Sequence, residues 1–261
     1  MLPPTERFSD RVADYVRSRP SYPQAAIDCL VQVVGLSDES VIADIGCGTG
    51  IFATQLLSTR ASVVGIEPNE SMRGASLDLL TNVPRFQAVD GTAEVKGLDD
   101  QSVDLISAAQ AFHWFKPDEA RQEFRRILRP EGWVALIWNE RRSGGSPFLE
   151  EYEAILRECS PEYLLATHRN TPDSVLLDWY QNPDARVYAF DNDTPIDLEN
   201  FLGRAYSSSY VPAAGTEGRI EITKRLTDLY RRTKAVGPVT MRYETKLFLG
   251  QLQPDLNRGR A

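Results

Sequence analysis

Three glycines at alternate positions, Gly46, Gly48 and Gly50, follow one acid, Asp44, and precede a second, Glu67, by about 20 residues. Glycine at every second place gives a backbone that takes positive φ and lets a ligand lie against the main chain with no Cβ in the way. Val41 to Ile45 before the turn reads as a short buried strand, and Ile51 to Leu57 after it has helical character, so a helix points its free N–H groups at the same spot. A second strand, Ser62-Val-Val-Gly-Ile, runs into Glu67, at the separation where a carboxylate reaches the ribose hydroxyls of a bound nucleoside. Together these residues read as a nucleoside cofactor site.

The turn selects among nucleosides. A dinucleotide turn is G-x-G-x-x-G, with a pyrophosphate on the helix N-terminus. Here the run is G-x-G-x-G behind Asp44, which repels a diphosphate but suits a cofactor bearing an ammonium group, as S-adenosylmethionine does. The run Asp44-Ile-Gly-Cys-Gly-Thr-Gly50, with Glu67 closing the next strand, resembles the class I S-adenosylmethionine-dependent methyltransferases of the type 11 kind. That resemblance implies a Rossmann-like, doubly wound α/β sheet of seven strands, mostly parallel, with an antiparallel last strand and a helical lid insertion. It also implies cofactor contacts from Asp44, Gly46, Cys47, Gly48, Gly50, Glu67, Pro68, Met72, Ala93 and Gln110. Cys47, inside the turn, reads as a small filler and not as a nucleophile. Relatives commonly carry an Asp for the adenine amino group where this chain has Thr92; its hydroxyl accepts the same bond less strongly, and Asp90 is the alternative acceptor. The pattern Tyr15-x-x-x-Arg19-Pro-x-Tyr-Pro resembles the capping segment of small-molecule enzymes of the trans-aconitate methyltransferase-like kind, which implies Tyr15 and Arg19 over the methionine end of the cofactor.

On the acceptor side, the fourth strand, Val103 to Gln110, opens into Ala111-Phe-His-Trp-Phe115. Ligands of doubly wound sheets lie outside the carboxyl ends of the strands, which puts this loop beside the reacting methyl group. His113 is one of only two histidines and is the candidate general base or orienting group. Phe112, Trp114, Phe115, Trp138, Tyr206 and Tyr210 are candidates for the acceptor pocket, since aromatic faces stabilise a sulfonium without competing as nucleophiles.

Composition fits an enzyme of this size. The chain has 261 residues, 42% hydrophobic and 25% charged, enough for one large α/β domain with an insertion. With 29 Lys and Arg against 37 Asp and Glu, the net charge of −8 offers no general attraction to a phosphate backbone, so a small-molecule acceptor is expected and nucleic acid is not. No long apolar run suggests a membrane span or a signal peptide, and a cytoplasmic monomer or homodimer is expected. Three scattered cysteines and two histidines give neither a disulfide framework nor a metal signature. Two other classes stay open at this stage: a noncatalytic protein that binds the cofactor, and a nicotinamide-dependent oxidoreductase, which the glycine spacing disfavours.

Three regions are expected: N-terminal capping helices over 1–40, a cofactor-binding core over 41–139, and a C-terminal completion of the sheet with helical lid insertions over 140–261. Within the first lie a short helix ended by Pro20 and a second over Pro23 to Val34. In the core, a helix starts at Pro68, a third strand spans Phe86 to Asp90, a helix spans Pro117 to Leu128, Arg129 to Gly132 is a turn, and Trp133 to Trp138 is a fifth strand. Ser143 to Pro147 reads as a flexible joint, followed by two or three helices up to Tyr180. Strands are expected at Arg186 to Phe190 and Val239 to Leu249, with helices at Leu198 to Tyr206 and Glu217 to Val236 between them.

Overall fold

The structure is a computed structural model that describes residues 19–94, 97–160, 162–163, 171–208 and 210–253. The expected first helix and Tyr15 lie outside the described residues. Two compact units share the chain: among the described residues, those within 22–138, 171–190 and 246–253 form a sheet unit, and those within 19–21, 139–163 and 191–245 form a helical unit.

The sheet unit holds helix α1 (Gln24–Leu30), which continues into a π-helical turn (Val31–Gly35), strand β1 (Val41–Ile45), α2 (Ile51–Leu57), β2 (Ser62–Ile66), α3 (Glu70–Leu79), β3 (Phe86–Val89), β4 (Val103–Ala109) and α4 (Pro117–Ile127). It goes on with β5 (Leu128–Arg141), α6 (Asp173–Trp179), β6 (Arg186–Asp191) and β9 (Tyr243–Gly250); β5, β6 and β9 also contribute residues to the helical unit, which adds α5 (Pro147–Cys159), β7 (Thr194–Pro195), α7 (Leu198–Tyr206), α8 (Glu217–Lys234) and β8 (Thr240–Met241). The strands form one seven-stranded sheet in the order β3-β2-β1-β4-β5-β9-β6, mostly parallel with an antiparallel last strand, as expected.

The strands are apolar on both faces because both faces are covered, and the pleat sends alternate residues to opposite layers. Ile42, Leu105, Ala135, Ile137, Leu247 and Leu249 pack with Ala26, Ile27 and Leu30 of α1 and with Phe52 and Leu56 of α2. Their neighbours Ala43, Ile106, Val134, Leu136 and Phe248 face the other way, against Ala120 and Phe124 of α4 and Leu176 and Trp179 of α6. Tyr180, fully buried, ties two strands together by donating its hydroxyl to the carbonyls of Val134 and Phe248.

One local expectation needs correction. The turn at Arg129 to Gly132 is embedded in β5: Val103 pairs with Leu128 and Leu105 with Trp133, so four residues bulge out and Glu131 takes a φ of 68°. Ser143 to Pro147 ends in a helix cap, with the Ser146 hydroxyl accepting from Leu149 N–H at 3.3 Å and Pro147 as the first helical residue.

The helical unit has its own core. Tyr152, Ile155 and Leu156 of α5, Phe201 and Ala205 of α7, and Ile222, Leu226, Leu229 and Tyr230 of α8 are all buried in it. The spacing of the α8 set marks one face of a helix. Asp197 and Thr216 cap α7 and α8 by accepting from Asn200 N–H and Arg219 N–H. Among the described residues, no helix is long and apolar enough to cross a membrane.

Candidate functional site

β1 ends at Ile45 and the chain turns at once. The N–H groups of Gly46 and Cys47 both donate to Ile66 O, at 2.8 and 3.2 Å, which fixes the turn to the end of β2. Gly46 and Gly48 have φ of 70° and 56°, in the left-handed region that favours glycine. The two differ in what surrounds them. A Cβ on Gly46 would lie 2.6 Å from Ala111 Cβ, so the loop after β4 rests directly on the turn; a Cβ on Gly48 meets only Met72 Cε at 3.6 Å. Gly46→Ala should therefore cost about 2 to 4 kcal/mol of stability, combining overlap with left-handed strain, and Gly48→Ala about 1 to 2 kcal/mol from strain alone. Urea denaturation of both variants checks the order, and equal losses would mean that the loop does not rest on the turn.

The two acids sit at the carboxyl ends of adjacent strands. Glu67 is buried and both of its oxygens are engaged: Oε2 accepts from Gly48 N–H at 3.0 Å and Oε1 from Asn69 N–H at 2.9 Å. Asn69 in turn caps α3 by accepting from Met72 N–H at 3.0 Å. The Glu67 carboxylate thus ties the glycine turn to the head of the next helix, with Pro68 between, while each oxygen keeps a second lone pair. Burial raises its pKa, and the two backbone bonds and the nearby Arg73 guanidinium hold it down.

Asp44 is 1% exposed. The β1–β4 register sets it opposite Ser107, whose hydroxyl donates to Oδ1 at 2.7 Å, while Oδ2 is buried without a partner among the described residues. Burial pushes its pKa up to about 7, against the lowering effect of the Ser107 bond and with a further push from the Glu67 charge. Thr49 Oγ1, in the turn itself, is likewise buried without a partner among the described residues. A fully buried acid with one open oxygen beside a Cβ-free turn fits a ligand that brings its own positive charge. The donor set therefore fits S-adenosylmethionine: Asp44 for the ammonium, Glu67 for the ribose, and Gly46 to Gly50 as the cradle. Cys47 is buried and its thiol is pushed up by burial and by the charges of Asp44 and Glu67, the opposite of what a nucleophile requires. Its sulfur occupies the place where a Cβ on Gly65 would lie, at 2.6 Å.

On the expected adenine side, Ala93 and Met72 are buried. Thr92 Oγ1 accepts from Glu94 N–H at 3.4 Å. Asp90 is exposed and pairs with Arg73 at 3.3 Å, and the same Arg73 nitrogen donates to Glu67 O at 2.7 Å.

The acceptor-side loop follows β4. Gln110 takes a φ of 56°, uncommon for a residue with a side chain, and its N–H donates to Ile137 O at 2.9 Å, which reverses the chain at the strand end. Phe112 to Trp114 then form one 3₁₀ turn. Phe112 is buried, with its ring edge-to-face on Trp179 at 4.9 Å and on Trp138 at 6.4 Å, and Trp138 meets Phe248 at 5.6 Å. These two rings anchor the loop from beneath. His113 is half-buried, with its ring tilted by 45° to that of Trp114 at 4.6 Å between centroids, and Trp114 is 37% exposed. Phe115 packs on Phe112 at 5.7 Å. The structure thus gathers Asp44, the glycine turn, Glu67, Met72, Ala93, Gln110 and the 112–115 loop in one unit.

Arg19, Tyr206 and Tyr210 belong to the helical unit. Arg19 donates to Ser207 O at 3.1 Å. The Tyr206 hydroxyl bonds Thr223 Oγ1 at 2.7 Å and its ring is covered by the Arg219 guanidinium at 3.9 Å. Tyr210 packs edge-on against Tyr163 at 4.9 Å. Ser107, Thr49 and Asn69 were not legible as site residues; only Asn69, placed before an apolar helix, carried a local signal, that of a helix cap.

Residues 43–136 match the family model described as a methyltransferase domain. A methyltransferase-like protein of Schizosaccharomyces pombe is 34% identical over 257 residues, covering 95% of this chain and 96% of its own. An uncharacterized methyltransferase of Mycobacterium tuberculosis is 42% identical over 155 residues, and the chain spans 60% of that relative's length. A solved type II methyltransferase structure from Anaeromyxobacter dehalogenans superposes with a TM-score of 0.62 at 24% identity, covering 91% of this chain and 99% of the other, a likeness of fold. A methyltransferase from an antibiotic biosynthesis pathway of Anabaena variabilis gives a TM-score of 0.63 at 23% identity, with 89% and 98% covered. On sheet order, site geometry and a match that runs nearly end to end, the chain belongs to the class I S-adenosylmethionine-dependent methyltransferase family.

Proposed function

We propose that this protein transfers a methyl group to a small-molecule acceptor in the cytoplasm. The observation that carries the cofactor side is the Asp44 carboxylate, fully buried with one oxygen open beside the glycine turn. Bound there, S-adenosylmethionine supplies an electrophilic sulfonium methyl for in-line displacement. The chain's own contribution is positioning: the Glu67 bonds and the Ile66 carbonyl hold the turn, and Ala111 against Gly46 holds the acceptor loop to it. The charge of −8 supports a small acceptor over a polyanion. Incubation of the purified protein with S-adenosylmethionine and a metabolite library, with S-adenosylhomocysteine release followed by mass spectrometry, tests this directly; no release with any acceptor would favour a binding protein without turnover.

His113 is the acceptor-side polar group in this scheme. It lies on the loop that touches the turn, with the Trp114 ring tilted beside its own at 4.6 Å. A neutral imidazole there takes the proton from a hydroxyl or amine acceptor as attack develops, an effect worth roughly 10² to 10⁴ in rate. His113→Ala should lower kcat at least about tenfold while cofactor affinity stays within about twofold. Unchanged kcat would remove the catalytic role, and a joint collapse of cofactor affinity would make the residue structural.

A further inference from the structure

The chain passes between its two units five times, after residues 21, 138, 170, 190 and 245. The passage after 170 adjoins residues outside the described ones. At the other four, on the helical unit's side, stand Ser21, Asn139, Asn192 and Thr245, each within two residues of the boundary. Hydrogen bonds draw these four into one cluster. Asn139 Nδ2 donates to Pro20 O at 3.3 Å and to Ser21 O at 3.2 Å, and its Oδ1 accepts from Asn192 Nδ2 at 3.1 Å and from the Thr245 hydroxyl at 2.5 Å. Asn192 Nδ2 also donates to Ser21 O at 2.8 Å. Main-chain bonds run alongside: Arg142 N–H donates to Arg242 O and Asn192 N–H to Tyr243 O, both at 2.9 Å. Across the first boundary, in the sheet unit, Gln55 holds both backbone groups of Tyr22, accepting from its N–H at 2.9 Å and donating to its carbonyl at 2.7 Å.

We propose that Asn139 is a hinge pin: it ties four of the five passages into one joint, so that they loosen together and the helical unit moves as a single body. Unconnected passages would each open at their own free energy, as connecting segments with few buried contacts do. A primary amide has two N–H donors and an oxygen with two lone pairs, and in Asn139 all four find partners from three other passages. Its orientation follows from the partners, because the carbonyls of Pro20 and Ser21 can only accept and must face the NH2 group. Thr245 is fully buried, so removal of the Asn139 oxygen strands its hydroxyl as well. The place suits a hinge, which is built from a few residues at the ends of elements. Asn139 lies near the end of β5, Asn192 just after β6 and Thr245 near the start of β9. The proposed function gives such a movement a use, the entry of an acceptor and the exit of product; the joint itself is tested without cofactor or acceptor.

Hydrogen exchange of the full chain, read by NMR at the amides of Tyr22, Arg142 and Asn192, provides the test. In Asn139→Ala all three should exchange about 5- to 30-fold faster, by a common factor, while the amides of β1 in the sheet unit stay within about twofold of wild type. Thr245→Val removes a bond at the last passage alone. It should nevertheless accelerate the same three amides, Tyr22 included, by a smaller common factor, and it carries the test if Asn139→Ala does not fold. Acceleration confined to one passage, no acceleration at all, or equal acceleration in β1, the mark of a general loss of stability, each overturns the proposal.

Discussion

Glu67→Ala should raise the Kd for S-adenosylmethionine about 10- to 150-fold, the loss of about 1.5 to 3 kcal/mol that accompanies removal of hydrogen bonds to a charged group. Two contributions add. The first is the direct loss of a carboxylate for the ribose hydroxyls. The second lies in the free protein, where that carboxylate holds Gly48 N–H and Asn69 N–H. Without it, the turn and the cap of α3 lose their common tie and the cradle must be ordered anew on each binding event. Calorimetry on Glu67→Ala and Glu67→Gln separates the two. The amide keeps one acceptor but turns a donor toward an N–H, so it should fall between wild type and alanine in stability and close to alanine in affinity. A Kd unchanged in both variants would take Glu67 out of the site.

Cofactor affinity should also depend on pH through Asp44. Its pKa lies near 7 in the free protein, against an ordinary 3.8, because burial penalises the charged form. An acid raised in this way contributes most to stability below about 3.8, and the contribution is lost as the pH rises through about 7, since the unfolded chain ionises first. A cofactor ammonium needs the ionised form. Its Kd should therefore tighten by up to about tenfold per pH unit between about 5.5 and 7, and level off above that. Asp44→Asn should abolish this slope and weaken binding at pH 8 about 10- to 150-fold. The same variant, measured without cofactor at pH 8, should be more stable than wild type because it no longer buries a charge. A sloping Kd in Asp44→Asn would assign the titration to another group.

The strand and turn of the candidate cofactor half were legible because their signals are local. Val41 to Ile45 is a strand from its own residues, the glycines declare the turn, and Glu67 follows at a fixed chain separation. The helices expected at Leu198 to Tyr206 and Glu217 to Val236 are found at Leu198–Tyr206 and Glu217–Lys234. What escaped depends on register between distant segments. Ser107 reaches Asp44 across 63 residues, and only the β1–β4 pairing puts them side by side. Arg141 shows nothing in the sequence; its environment comes from α5 and Tyr163, gathered by packing within the helical unit. The bulge at 129–132 and the π-turn at Val31–Gly35 likewise answer to tertiary fit. Among the aromatic candidates, residue type alone did not separate Phe112 and Trp138, which are buried, from Trp114, which is exposed.

Strand order has a consequence for biosynthesis. Among the described residues β9 follows every other strand, yet it lies between β5 and β6. While the polypeptide is being made, β5 and β6 each present an unsatisfied ladder, and neither can close on the other in the native way until residues 243–250 have emerged from the ribosome. Both units wait for that strand, since Tyr243 is buried in the core of one and Leu247, Phe248 and Leu249 in the layers of the other. The nascent chain therefore holds the strands of the candidate cofactor half while β5 still presents an open edge beside them, the kind of unpaired edge that invites mispairing during folding.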